Sequence, residues 1–175
     1  MADGGHVLYT RRLELRKITV DDIPSLVKYA NNKKISDRIL NIPHPFQEPD
    51  GVFRISYVHQ GFKNKSRFIF GIIFRESSEL VGEIGLHVES HGRAQLGFWV
   101  GEPFWNSGIA TEAAEAILEF GFENLGLETI YAECHIENEA SQKVLLKNRM
   151  RKKGSSGSVL QFAASRAGQR ESSAS

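Results

Sequence analysis

The sequence predicts a mixed α/β fold of the α+β kind, with one largely antiparallel sheet flanked by helices. Three observations predict it. Apolar residues at helical spacing dominate the segment before residue 63, as in Ile23, Leu26, Val27 and Ala30. Apolar runs of strand length, joined by short polar turns, then occupy Phe68 to Val100. Finally, the run Ala94–Val100 passes through a turn of small residues straight into an amphipathic helix marked by Ala110, Ala113, Ala114, Ile117, Leu118 and Gly121. Helices gathered first and hairpin-linked strands afterwards indicate a sheet covered by helices rather than a regular βαβ alternation.

Each element has its own signal. Leu13 and Leu15, with Ile18 beyond them, alternate with polar residues and suggest a first strand. Thr19-Val20-Asp21-Asp22 is a helix start with Thr19 or Asp21 as N-cap, and Asn31-Asn32 closes that helix. Lys34–Leu40 reads as a short second helix stopped by Pro43 and Pro45. Glu48–Phe62 reads as a third, with Val52, Ile55, Val58 and Phe62 inward. Phe68–Phe74 is apolar throughout, so both of its faces should be covered. Arg75–Ser78 turns the chain into Leu80–Val88, and His91-Gly92-Arg93 turns it again into the strand at Ala94. Gly126 caps the long helix, Leu127–Cys134 makes a fifth strand, and Asn138 opens a last helix to Lys147.

The chain of 175 residues suits one domain, placed at residues 8–150. No apolar run approaches the roughly 20 residues of a membrane helix, and the N-terminus lacks a secretory pattern. Cys134 is the only cysteine, which excludes an intrachain disulfide and points to a reducing, cytoplasmic setting. The net charge of +1 hides an asymmetry. From Arg149 onward six basic residues face a single acid, Glu171, so that stretch carries +5 and the remainder −4. An acidic body favours a cationic acceptor such as a protonated amine over nucleic acid. No His, Cys and carboxylate grouping has metal-ligand spacing, so no metal is expected.

The turn before the long helix is the best candidate site. A helix start presents unpaired N–H groups and the positive end of the dipole, and Gly108 lets an anion approach the backbone closely. The stretch Trp105-Asn106-Ser107-Gly108-Ile109-Ala110 resembles the acetyl-CoA loop of the GNAT N-acetyltransferases, Gln/Arg-x-x-Gly-x-Gly/Ala, with Trp in the leading place. Thr10–Arg16, Leu80–Leu86 and His135–Ser141 agree in order and spacing with the branch resembling ribosomal-protein alanine or serine N-terminal acetyltransferases. Four motifs in order are far more specific than one.

The resemblance implies a GNAT-like sheet and acetyl transfer from acetyl-CoA to a primary amine, a protein N-terminus above all. Trp105, Asn106, Ser107, Gly108, Ile109, Ala110 and Thr111 would form the cofactor loop. A backbone N–H of Phe98, Trp99 or Val100 would face the thioester. Asn138 would contact the pantetheine arm. Many relatives carry a proton-donating Tyr where this chain has Leu145, which leaves Ser141, one turn earlier, as the substitute donor. Glu83, on one strand face with Gly85 and His87, is the leading general-base candidate; His87 and His135 are weaker ones. A buried Cys134 would play no covalent part, so transfer would be direct.

The resemblance fails in the tail. Relatives carry Gly-Phe where this chain has Arg149-Met150, followed by two strands that finish the sheet. Residues 151–175 instead read as a basic, Gly/Ser-rich and poorly ordered tail in which only Val159–Ala164 has strand or helix-turn character. The final strands are therefore expected to be missing or replaced. That would leave an open sheet edge near Tyr131 that invites a homodimer or a partner strand, and it keeps a non-catalytic acyl-CoA-binding module as the alternative function.

Overall fold

The computed structural model describes residues 6–39 and 41–169. Among the described residues, eight strands form one sheet in the order β1-β2-β3-β4-β5-β6-β8-β7. They are β1 (Leu8–Tyr9), β2 (Leu13–Arg16), β3 (Arg67–Phe74), β4 (Leu80–Val88), β5 (Arg93–Val100), β6 (Thr129–His135), β7 (Arg151–Ser156) and β8 (Val159–Ser165). The helices are α1 (Ile23–Ala30), α2 (Lys33–Ser36), α3 (Glu48–Asn64), α4 (Ile109–Glu119) and α5 (Glu139–Lys147). Every neighbouring pair is antiparallel except β5 and β6. The α+β class and its largely antiparallel sheet are as the sequence predicts.

Two faces of the sheet carry different helices. Gly121, in the wide turn that extends α4, packs against Leu86 and Ile130. On the opposite face, Arg54 of α3 reaches Glu83, and the Tyr29 ring of α1 lies on Gly101. The core between layers is aromatic: Phe62, Phe68, Phe70 and Phe120 meet edge to face at 5.2–5.8 Å between ring centroids. Both faces of β3 are covered, and Phe70 and Ile72 are fully buried.

α3 departs from its expected stripe. Val52 is 56% exposed, whereas Gly51, Arg54, Val58, Gly61 and Phe62 are buried. Val58 and Phe62 are inward as expected and Ile55 packs against the core, but in the first turns Gly51 and Arg54 are buried in place of Val52, because an apolar pattern skips an arginine. Leu40, the expected last residue of the second helix, lies outside the described residues; α2 is a single turn, Lys33–Ser36.

The largest correction concerns the tail. Residues 151–165 form a hairpin that completes the sheet, with β8 inserted between β6 and β7. Leu160, Phe162 and Ala164 stand opposite Cys134, Ala132 and Ile130 and are all buried. This is a period of two, with Gln161 and Ala163 between, diluted in the sequence by alanine. Gly157, at φ +60°, occupies the first position of the two-residue turn, where a hairpin needs glycine. β7 contains no apolar residue, is exposed along its whole length and skips Lys153 in its register. Pairing with β8 makes it a strand, so no hydrophobic pattern announces it. Lysines and an irregular register are common guards of a sheet edge. The open edge expected near Tyr131 is therefore covered. Residues 166–169 add a helical turn; 170–175, also expected to be disordered, lie outside the described residues.

Candidate active site

The site begins where two parallel strands part. β5 and β6 pair only over Arg93–Gln95 and Thr129–Tyr131. Beyond that the strands diverge, so Leu96–Val100 faces a gap. The Gly101 N–H donates to the Val81 carbonyl at 2.7 Å. Hydrogen-bonding direction alternates along a strand, so Trp99 also turns its main chain toward β4 while Phe98 and Val100 turn theirs into the gap. Of the three sequence candidates on β5, two thus offer an N–H to that space. The Val100 carbonyl is taken by the Trp105 indole N–H at 2.6 Å, which identifies Trp105 as an anchor of the turn.

Parallel strands end at the same sheet edge, so α4, which follows β5, and α5, which follows β6, both start at the mouth of the gap. The sequence-predicted loop lies there: Asn106, Ser107 and Gly108 are exposed, Ile109 is buried, and Ala110 and Thr111 are half-buried. Asn106 and Gly108 both have positive φ, +62° and +80°, and Gly108 is the N-cap of α4. Only the Arg12 guanidinium, at 3.4 Å, comes within 4 Å of where a Gly108 side chain would stand. Exposed backbone at a helix start, with an arginine at its flank, suits a diphosphate.

Asn138 and Ser141 are also brought to the mouth. The Asn138 side-chain oxygen caps α5 by accepting from the Ser141 N–H at 3.2 Å, which leaves its amide NH₂ directed elsewhere. Leu145 is 1% exposed and belongs to the core. Asn148, which the sequence reading missed, ties the two helices together by donating to the carbonyls of Thr111 and Val144 at 3.3 and 2.9 Å.

Glu83 differs most from expectation. It is 2% exposed, neither open to an amine nor solvated. Arg54 Nη2 lies 3.0 Å from its Oε1, Arg54 Nε donates at 3.1 Å, and the Trp99 indole N–H donates to the same oxygen at 2.8 Å. Arg54 in turn lines a cavity of about 460 Å³ with Ile39, Ile42, Asp50, Phe53 and Tyr57. A signal for Arg54 did exist: Arg54, Val58 and Phe62 are spaced by four, placing an arginine in an apolar stripe.

His87 sits further along β4, opposite Gln95 at the closed end of the gap. Burial, reinforced by Arg67 and Arg54, pushes its pKa down against a smaller opposing effect of Glu89. His135, at the exposed end of β6, lies 3.2 Å from the Ser158 hydroxyl. Burial pushes the Cys134 thiol up, away from the thiolate a nucleophile needs. No group of three or more potential metal-ligating side chains is present among the described residues.

Parting strands with a glycine-started helix at their mouth suit an enzyme that moves a group from a phosphate-bearing carrier, and a half-open cavity lies beside Arg54. The family is established by comparison: residues 12–151 match the Acetyltransferase (GNAT) domain. The chain belongs to that family and is an acetyltransferase. It is 31% identical over 150 residues to the uncharacterized N-acetyltransferase YoaA of Bacillus subtilis, covering 85% of this chain and 84% of that protein. It is 24% identical over 139 residues to the ribosomal-protein-serine acetyltransferase of Escherichia coli, covering 78% and 77%. Among solved structures, it resembles the ribosomal L7/L12 alpha-N-protein acetyltransferase RimL in complex with coenzyme A, with a TM-score of 0.80 at 17% identity, covering 91% and 98%.

Proposed function

We propose that this enzyme transfers the acetyl group of acetyl-CoA to a primary amine, and that its acceptor is a protein N-terminus. The observation that carries the donor is the gap between β5 and β6 with the Gly108 start of α4 at its mouth. The family match and the CoA-bound neighbour support it. Acetyl-CoA supplies an activated thioester, and the protein's task is to hold it against the amine and to place charge and protons. Main-chain N–H groups at Asn106–Ala110 would hold the diphosphate. The N–H groups of Phe98 and Val100 would face the carbonyl oxygen that gains charge. The NH₂ of Asn138 would steady the pantetheine arm, and the Ser141 hydroxyl would pass its proton to the departing thiolate while regaining the one the amine nitrogen loses as the amide forms.

The locked state of Glu83 bears on the acceptor. With its oxygens held by Arg54 and Trp99, it acts as an organiser of the acceptor-side wall. The amine must then reach the site already neutral. At pH 7 on the order of a tenth of α-amino groups are neutral, against roughly one in 2,500 lysine side chains. A site with no free base therefore favours an N-terminal amine, and the acetyltransferase of ribosomal proteins among the relatives supports the same choice. The cavity beside Arg54 would receive the first residues of the acceptor. The lone reduced cysteine is consistent with a cytoplasmic setting. The binding-only alternative rested on absent final strands and on the missing Tyr donor; β7 and β8 are present, and with Leu145 in the core the donor's place would fall to Ser141.

Native mass spectrometry with acetyl-CoA, followed by an acetylation screen over N-terminal peptides, lysine peptides and polyamines, tests the proposal. The expected result is one bound acetyl-CoA and turnover on N-terminal peptides with a rate that rises with pH as the amine deprotonates. CoA binding without turnover on any amine would select the non-catalytic reading. A Glu83→Gln variant whose kcat falls 10²-fold or more, losing a titration seen in the wild type, would restore Glu83 as the base.

A further inference from the structure

The segment Thr10–Arg16 is part of the sequence pattern, yet nothing so far gives it a role. Its Arg12 spans the cofactor loop. Arg12 Nε donates to Glu112 Oε1 at 2.7 Å and its backbone N–H to Glu112 Oε2 at 2.9 Å. Its Nη1 donates to the Ser107 carbonyl at 3.1 Å. The Thr10 hydroxyl also donates to Glu112 Oε2 and accepts from the Leu13 N–H. We infer that Arg12 is a positioning residue for diphosphate binding, acting through the loop and through Glu112. This rests on reading the start of α4 as the acetyl-CoA diphosphate site.

A trans peptide unit is planar, with its C=O and N–H pointing in opposite directions. Holding the Ser107 carbonyl toward Arg12 therefore aims the Gly108 N–H away from Arg12, toward the open side of the loop. Charge acts in the same direction. Glu112 lies in the first turn of α4, where a carboxylate suits the helix dipole but repels an incoming anion. Burial pushes its pKa up, but bonds from Thr10 and Arg12 outweigh burial and hold it below the ordinary value. The carboxylate thus stays ionised, and Arg12 neutralises it beside the diphosphate. Removing Arg12 would release the carbonyl and leave an unopposed negative charge.

Isothermal titration of the intact protein with CoA, and ligand-observed NMR with S-acetylpantetheine, which lacks the diphosphate, test this. Arg12→Gln should weaken CoA binding about tenfold, or about 1.4 kcal/mol, and change S-acetylpantetheine binding less than about twofold. Arg12→Gln/Glu112→Gln should recover at least about threefold of that loss, because the stranded charge is gone. Arg12→Lys keeps the charge but cannot bridge both partners, and should lose about threefold; it also serves if Arg12→Gln does not fold. Unchanged CoA affinity in folded Arg12→Gln or Arg12→Lys, no recovery in the double variant, or equal losses for both ligands would each overturn the inference. Failure of the wild type to bind CoA would overturn the reading of the loop, and this inference with it.

Discussion

The two sides of β5 are built from different materials. On the side facing the gap, the polar groups on offer belong to the main chain: the N–H groups of Phe98 and Val100 and the left-handed turn at Asn106 and Gly108. On the side facing α1 and α3, they are side chains drawn from distant segments, with Arg54, Glu83 and Trp99 locked together in the interior. A main-chain site depends on local conformation, so a short stretch of sequence encodes it. A side-chain cluster depends on tertiary contact, and its members carry no mark of one another. The contrast also separates the proposed roles: the first side would govern binding of the donor, the second folding and the shape of the acceptor wall.

The largest expected effect breaks the side-chain cluster. Arg54→Ala would leave the Glu83 carboxylate buried beside Trp99 without its counter-charge, and breaking one partner of a buried pair costs about 3–5 kcal/mol. Urea unfolding should show the loss as a lower midpoint at unchanged slope. An Arg54→Met/Glu83→Leu double variant should regain only part of it, since it removes the stranded ion but leaves the buried Trp99 indole N–H without its acceptor. If Arg54→Ala costs less than about 1 kcal/mol, water reaches Glu83, and the picture of a dry acceptor-side wall fails.

Phe162→Ala should follow. This side chain is 2% exposed on β8, opposite Ala132, and such truncations cost about 3–5 kcal/mol. Lys152→Ala on the exposed β7 should change stability by less than about 0.5 kcal/mol. A small effect of Phe162→Ala in the same unfolding measurement would mean that the C-terminal hairpin is detachable, and the open-edge expectation near Tyr131 would return.

What was legible in the sequence follows the same division. The α+β class, most strands and the glycine turn at the start of α4 were readable because each rests on local periodicity or on small residues at a turn. The loop was further supported by four motifs in order. Glu83 was found but given the wrong surroundings, since nothing near it announces Arg54, 29 residues away. The burial of Arg54 in place of Val52 at the start of α3 was missed for the same reason: an arginine counts as polar until its buried partner is known. The hairpin of β7 and β8 was missed because one strand has no apolar residue and the other hides its alternation behind alanines. The Arg12–Glu112 bond spans 100 positions and was equally invisible.

On the main-chain side the expected effects are smaller in energy but sharper in function. Gly108→Val places a branched side chain at φ +80°, a conformation β-branched residues strongly resist, in front of the helix start. Acetyl-CoA affinity should fall at least tenfold, about 1.4 kcal/mol, in a protein whose circular dichroism shows it folded. Equal affinity in that folded variant would detach donor binding from the loop and erase the contrast drawn across β5.

The smallest effect separates two duties of one side chain. Asn138 caps α5 through its oxygen, while its NH₂ is the group proposed to meet the pantetheine arm. Asn138→Ala removes both and should cost about 1 kcal/mol of stability, the usual value of an N-cap, together with some affinity for acetyl-CoA. Asn138→Asp keeps an oxygen acceptor for the Ser141 N–H and suits the helix dipole, so stability should stay within about 0.5 kcal/mol of the wild type. It has no NH₂ to donate and adds a negative charge at the mouth of the gap, so acetyl-CoA binding should weaken by about threefold or more. Thermal melts and titration calorimetry on the two variants read the two quantities independently. If Asn138→Asp binds acetyl-CoA as tightly as the wild type, Asn138 is a helix cap alone. The donor side of β5 would then depend on main-chain groups even more completely than proposed.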